Sequence, residues 1–356
     1  MKNKLLLIGI MLIASATAVF AQPSRVGQSG ASELLMNTTA QGSGFNGINI
    51  GSSNGIESSQ INPAGIATTK GTELVFAHTR WLIGTGISVN SVGFSQALGE
   101  EGSGGVIGIS VNSLSLGKFY RTTTNQPDGN IGTFSPSYAN IGVSYAKKFT
   151  DHIYVGATLR LISQATPDVS ANGACFDAGV QYRALDDDKL KLGITLRNVG
   201  PAMKYSGQGL ENRAPLELTN PYNNAVAIPT DKFELPSLLT MGGSYDIHAG
   251  DNNTVTLLGG FISNAFYYNQ IGAGFQYKFK EIVVLRASYL YERGIFGDLG
   301  VDRYSAYTGF AGGATFQVPF KASKKSDRNS LFGLDMSYRT SNPFGGTASF
   351  GIRVDL

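Results

Sequence analysis

The sequence predicts an all-β fold, a transmembrane antiparallel β-barrel of about 14 strands with an N-terminal plug segment. Apolar residues alternate with polar or small residues over most of the chain, which is the pattern of strands. Only 15% of the residues are charged, and 46 of the 356 residues are glycine. Long and short connections between the predicted strands also alternate, as in bacterial outer-membrane barrels.

The first 21 residues read as a secretory signal peptide. Lys2 and Lys4 precede an apolar stretch that begins at Leu5, and the small residue Ala21 ends the segment. This arrangement predicts cleavage after Ala21. The apolar stretch is shorter than the roughly 20 residues that a membrane-spanning helix needs. We therefore expect export and, together with the barrel pattern, the outer membrane of a Gram-negative bacterium.

Residues 22–71 lack sustained alternation and are rich in Gly, Ser and Asn, with apolar clusters at 34–36 and 48–50. We interpret this segment as an N-terminal hatch or plug inside the barrel. A disordered periplasmic tail is the alternative. The segment ends just before the first strand at Asn62, Pro63, Ala64 and Gly65. Proline and glycine lie close together here, which predicts a turn.

Residues 72–356 form the predicted barrel domain. The last ten residues show the alternation most clearly, since Phe350, Ile352 and Val354 share one face of the strand and Ser349 and Arg353 share the other. Period-two segments lie near 72–79, 85–95, 104–112, 137–149, 152–164, 173–183, 188–198, 238–247, 253–263, 270–279, 282–293, 307–319, 330–340 and 346–356. Most have about the 9–11 residues that a tilted strand needs to cross a bilayer.

The connections predict an orientation. If the first strand rises from the periplasm, the longer outward connections include 113–136, 165–172, 199–237, 264–269 and 294–306. The inward turns near 150–151, 184–187, 248–252 and 280–281 are short, and 321–329 is a longer polar inward turn. Many Tyr and Phe residues lie near strand ends, where aromatic girdles meet the membrane interfaces.

The chain carries no sequence signature of catalysis or metal binding. His78, His152 and His248 form no pair at metal-ligand spacing, and the single Cys175 cannot make an internal disulfide. A nucleophile signature is also lacking in the sequence. A formal net charge of +3 gives no footprint for nucleic acid. We expect neither an enzyme nor a cofactor or metal site.

Three segments resemble the PorV/PorQ family, which is related to the FadL-type outer-membrane transporters. The turn at 62–67 is similar to the asparagine-proline-alanine-glycine turn of these proteins, and residues 78–82 resemble the end of their first strand. Residues 331–356, with Asn342, Pro343 and Phe344 at the turn, resemble their last hairpin. The resemblance covers nearly the whole chain after the signal peptide.

This resemblance implies a component of the type IX secretion system. Such a protein binds the large translocon barrel, receives the C-terminal signal domains of exported proteins and passes them to a sortase-type attachment complex at the cell surface. The role needs outward loops that recognise a partner, and aromatic anchors are typical of binding hot spots. The candidate contacts are Tyr205, Leu216, Leu218, Tyr222 and Phe233 in 199–237, Phe119 and Tyr120 in 113–136, and Phe296 and Tyr304 in 294–306.

Two other functions stay open. FadL-type proteins take up a hydrophobic small molecule through the barrel, with a hatch and a lateral opening, and an apolar path in the lumen would favour this function. A purely structural surface barrel or adhesin is the third possibility. The sequence alone does not show whether the lumen contains such a path.

Overall fold

The structure is a computed structural model that describes residues 25–99, 102–215, 223–250, 252–320 and 330–356. Its main element is a closed antiparallel barrel of fourteen strands. Each strand lies where the alternation of the sequence predicts it. Numbered β1 to β14 in chain order, they are Thr72–Trp81, Ile87–Ala97, Val106–Ser115, Ser137–Lys148, Ile153–Ala165, Ser170–Ala184, Leu190–Val199, Leu238–His248, Asn253–Asn264, Gln270–Phe279, Val283–Glu292, Tyr307–Phe320, Ser330–Ser341 and Thr347–Asp355.

The barrel closes through the first and last strands. β1 pairs with β14, so that Glu73 lies opposite Asp355 and Arg80 lies opposite Ala348. All other strands pair with their neighbours in the chain. Closure satisfies the backbone groups that a free sheet edge would leave unpaired, which a strand in a lipid environment requires.

The barrel is apolar outside and polar inside. Along β3, Ile107, Ile109 and Val111 are exposed, whereas Ser110 and Asn112, at alternate positions of the strand, are buried. The other strands show the same alternation of exposed apolar and buried polar or small side chains, as the sequence predicts. An apolar exterior of this extent on a closed barrel is the surface of a membrane-spanning barrel.

Helical structure is short. Within residues 25–71, the described segment before β1 contains one α-helix, Ala40–Gly44, and three 3-10 helices, Ser32–Leu35, Ile56–Gln60 and Pro63–Thr68. Two further 3-10 helices, Asp186–Asp188 and Gln208–Leu210, lie in connections. Among the described residues, none of the helices is long and apolar enough to cross a membrane.

Two of the long connections that the sequence predicts to face outward contain small two-stranded ribbons of their own. One connection pairs Phe119–Tyr120 with Thr133–Phe134. The connection between β7 and β8 contains two ribbons, Met203–Lys204 with Lys232–Phe233 and Glu211–Pro215 with Asn223–Ala227. The polar inward turn at 321–329 lies outside the described residues.

Candidate functional site

The N-terminal segment, residues 25–71, lies in the barrel lumen. Ile48, Ile50, Ile56 and Ile66 are almost fully buried. Ile48 belongs to a cluster with Leu258 and Leu290 of the barrel wall, while Ile56 and Ile66 pack with Val75 and Val106. The segment thus contacts widely separated strands of the wall. That it works as a hatch stays a prediction.

The turn motif anchors this segment to the wall. Asn62 is fully buried, and its Nδ2 donates to the carbonyl oxygens of Ile50 and Val180, both at 3.0 Å. Its Oδ1 accepts from the backbone N–H of Ala64 at 3.1 Å, which caps the 3-10 helix that begins at Pro63. A single side chain therefore shapes the turn and joins two parts of the segment to β6.

Glycines in the wall allow the backbone of the segment to come close. A Cβ placed on Gly156 would lie 2.3 Å from the carbonyl oxygen of Pro63, and one on Gly193 would lie 2.5 Å from that of Ile50. Both obstacles are backbone atoms that cannot rotate away. Some of the glycines are thus needed because they let the backbones of the barrel wall and the N-terminal segment come into contact.

A carboxylate of β1 holds the start of the Ile56–Gln60 helix. Glu73 Oε2 accepts from the backbone N–H of Ile56 at 2.8 Å and from Thr69 Oγ1 at 3.0 Å. The neighbouring Glu57 is buried, and its Oε2 has no hydrogen-bond partner in the described part of the chain. Burial, together with repulsion from Asp335, raises the pKa of Glu57 to about 8. Glu57 is therefore mostly a neutral acid at pH 7.

A cavity of about 390 Å³ lies at the end of the lumen that carries the long connections. We call it the outer cavity, because this end is the one that the sequence predicts to face outward. Leu35, Met36 and Asn46 of the N-terminal segment contribute to its lining. The barrel strands and their connections add aliphatic side chains and five aromatic ones. The aromatic residues are Trp81, Tyr267, Tyr268, Tyr304 and Tyr307. Such a cavity suits an apolar ligand of small to moderate size.

Three charged side chains also line the outer cavity. Arg339 Nε donates to Asn46 Oδ1 at 2.9 Å, and its guanidinium lies 3.7 Å from the centre of the Tyr307 ring. Glu292 accepts from Gln270 Nε2 at 2.7 Å. The third is Arg197 of β7.

A groove of about 480 Å³ lies beside the outer cavity. Leu196 and Leu239, which face away from the lumen, line the groove, and Leu238 and Asn264 line both spaces. This is a place where the outer cavity and the outside of the barrel lie close together.

The predicted partner-binding residues divide into four sets, one of which is the pair Tyr205 and Phe233. Tyr120 and Phe296 are strongly exposed, at 74% and 86%, and Phe119 is exposed beside Phe134. Tyr304 is 42% exposed and also lines the outer cavity. Leu216, Leu218 and Tyr222 lie outside the described residues.

Tyr205 and Phe233 fold back towards the barrel. Their ring centres lie 5.3 Å apart, and both rings pack against a buried cluster that includes Leu34 and Met203. Tyr205 Oη donates to Gln164 Oε1 at 2.5 Å. Burial raises the pKa of Tyr205 to about 12, with a smaller contribution from Tyr138, so the hydroxyl keeps its proton.

Sequence reasoning missed the charged residues of the lumen. Arg197, Arg339 and Glu57 were not singled out, although the two arginines occupy lumen-facing positions in alternating strands. A charged residue on the lumen face of a strand was the available signal. Within the described residues, no group of three His, Cys, Asp or Glu side chains could hold a metal ion.

Comparison with known proteins gives structural likeness only. The chain matches no protein-family model and no curated protein. It is similar to the toluene transporter TbuX of Ralstonia pickettii, with 13% identity over 88% of this chain and 98% of that one, at a TM-score of 0.49. The monoaromatic hydrocarbon channel CymD shares 11% identity over 89% of this chain and 96% of its own, also at 0.49.

A FadL homologue of Pseudomonas aeruginosa shares 11% identity over 94% of this chain and 98% of that one, at a TM-score of 0.47. The architecture of the present chain follows from its own strand pairing and closure. Membership in the PorV/PorQ family stays a prediction.

Proposed function

We propose that this protein is an outer-membrane channel that takes up a hydrophobic small molecule. The observation that carries the proposal is the outer cavity, which joins an apolar and aromatic lining to a position at the outward end of a membrane-spanning barrel. An apolar solute leaves water for such a lining spontaneously. The proposal needs no catalytic residue and no cofactor.

In this proposal, the outer cavity is the loading site and the N-terminal segment closes the lumen beneath it. Bound solute then continues in one of two ways. It passes inward when the segment moves, or it leaves sideways near Leu238 and Asn264, where the groove adjoins the cavity. Each route begins from the same occupied cavity.

Filling the outer cavity tests the proposal. Ala306 lines the cavity, so Ala306→Trp would occupy much of its volume. Ala273→Trp, on the exposed outer face of β10, is the matched control. We expect Gram-negative cells that produce the wild-type protein to take up radiolabelled naphthalene faster than vector cells. Ala306→Trp should abolish the gain and Ala273→Trp should keep it. Equal uptake by all four strains would contradict the proposal.

A second candidate function is the type IX secretion role. The strong exposure of Tyr120 and Phe296 on outward connections favours it, because exposed aromatic side chains are common anchors of protein interfaces. The proposed partners are the translocon barrel, the C-terminal signal domains of exported proteins and the sortase-type attachment complex. Mass spectrometry of the protein isolated from its native membrane tests this role. The partners should be recovered with the wild type and lost with Tyr120→Ser combined with Phe296→Ser.

A further inference from the structure

Arg197 differs from the other buried arginines of the barrel. It faces the lumen on β7 opposite Leu238 of β8, and only 8% of its surface is exposed. Arg160 pairs with Asp177 at 2.7 Å, and Arg286 pairs with Asp335 at 3.6 Å. The buried Nε atom is unpartnered in all three arginines within the described residues. The guanidinium of Arg197, however, makes no ion pair or hydrogen bond at all with the residues that the structure describes.

The nearby carboxylate of Asp177 is already engaged. Its Oδ2 accepts from Arg160, and its Oδ1 accepts from the backbone N–H of Asn198 at 2.6 Å. Arg160 and Arg197 thus lie near one shared carboxylate, that of Asp177, which attracts Arg197 without a hydrogen bond. Arg197 therefore brings excess positive charge to the outer cavity. A buried cation without a partner is costly, so an anion that reaches it is bound favourably.

A second donor lies on the same wall. Thr240 of β8 lines the outer cavity, and its buried Oγ1 has no partner in the described chain. Arg339 adds a second positive charge to the lining. Among the described residues of the lining, Glu292 is the only carboxylate, and it accepts from Gln270. The balance of charge at the cavity favours an anionic group on its ligand.

The rest of the lining indicates the chemistry of the uncharged part of that ligand. Trp81, Tyr267, Tyr268, Tyr304 and Tyr307 surround the outer cavity. Aromatic faces and edges bind another aromatic ring in offset or edge-to-face geometry, beyond the gain from buried area alone. A volume of about 390 Å³ suits an acid of one or two rings.

We propose that the outer cavity binds an aromatic carboxylate, with the carboxylate on the Arg197 guanidinium and the Thr240 hydroxyl and the ring among the aromatic side chains. This inference rests on the proposed function, since it names the class of solute that the channel loads. Arginine suits the carboxylate because its planar fork can donate two parallel hydrogen bonds.

The chain has its own reporter for this test. Trp81 is its single tryptophan and lines the outer cavity, so ligand binding should change its fluorescence. The full-length protein in detergent micelles is titrated with benzoate and with its uncharged analogue benzamide. We expect benzoate to bind at least about tenfold more tightly, which is the scale of a charge-assisted hydrogen bond.

Variants assign this preference to Arg197. Arg197→Gln should remove the preference for benzoate over benzamide, and Arg197→Lys should restore part of it. Arg80→Gln, at an exposed position on β1, is the control and should behave as the wild type. The benzoate and benzamide comparison on the wild type needs no variant, so the test survives if Arg197→Gln fails to fold.

Three results would overturn the inference. Benzoate could bind no better than benzamide, Arg197→Gln could keep the full preference, or octanoate could bind as tightly as benzoate. Naphthalene separates this failure from that of the proposed function. If naphthalene is taken up and quenches Trp81 while benzoate shows no preference, only the inference fails. If naphthalene neither binds nor enters cells, the proposed function fails as well.

Discussion

Replacing Gly156 by alanine tests whether the wall and the N-terminal segment touch as closely as described. Gly156 lies on the lumen face of β5, and its new Cβ would lie 2.3 Å from the Pro63 carbonyl oxygen and 2.7 Å from the Ala64 nitrogen. Ordinary contacts of a Cβ begin at 3.4 Å. The turn must therefore move by about 1 Å away from β5, because neither backbone can yield by rotating a side chain.

The expected cost follows from this shift. Overpacking of a tight contact costs about 1–3 kcal/mol. The same movement strains the bond from Asn62 to Val180, whose loss adds about 1 kcal/mol. A total of about 2–4 kcal/mol favours release of the segment by roughly 30- to 1,000-fold.

Hydrogen exchange measured by mass spectrometry reports the equilibrium between the packed and the released N-terminal segment. Peptides from residues 40–66 should exchange faster in Gly156→Ala by that factor, while the barrel strands keep their protection. Gly333→Ala is the control, since Gly333 also faces the lumen but its Cβ would meet nothing nearer than 3.8 Å. Wild-type protection in Gly156→Ala would refute the close contact, as would equal loss in the control.

Three further changes probe the lumen. Asn62→Ala removes the donor to Ile50 and Val180 and the cap on Ala64, and should loosen the segment by about 2–4 kcal/mol in the same exchange measurement; unchanged protection would contradict the anchoring role. Glu57 is a neutral acid while the N-terminal segment is packed inside the barrel. The segment is therefore held most strongly below the ordinary pKa of 4.5, and less strongly as the pH rises towards about 8. The rate at which chymotrypsin cuts the segment is measured for the wild type and for Glu57→Gln at each pH. The ratio of the wild-type rate to the Glu57→Gln rate should be higher at pH 8 than at pH 5, and an equal ratio at both would contradict this. Asp177→Ala leaves buried Arg160 unpaired and should lower the unfolding free energy by about 3–5 kcal/mol, measured by denaturation in detergent; a loss below about 1 kcal/mol would show that the pair is not needed.

Much of the barrel could be predicted from the sequence because its physics is local. Each strand places every second residue towards lipid, so an alternation of apolar residues is visible within a single segment. An example is β13, which was expected at 330–340 and lies at Ser330–Ser341. The turn at Asn62 could also be predicted, because proline fixes the backbone there and a nearby glycine is typical of turns. The pairing of β1 with β14 agrees with the barrel that the sequence predicts.

The site could not be predicted in the same way because its contacts join distant parts of the chain. Asn62 meets Val180 at a separation of 118 residues, and Asn46 meets Arg339 at 293. Alternation places Arg197 on the lumen face but does not reveal that the carboxylate of Asp177 is already taken. The backfolding of Tyr205 and Phe233 likewise depends on Leu34, far from both in sequence.

The most direct test of the account blocks the outer cavity reversibly. Ala306→Cys places a thiol in its lining, whereas the native Cys175 is buried. Cells that produce Ala306→Cys are treated with a charged, membrane-impermeant methanethiosulfonate reagent, and the initial rate of naphthalene uptake is measured before and after. The account predicts that uptake falls to the vector level in this variant alone and recovers when a reducing agent removes the label. Uptake that continues unchanged through a fully labelled cavity would contradict the claim that the solute enters there.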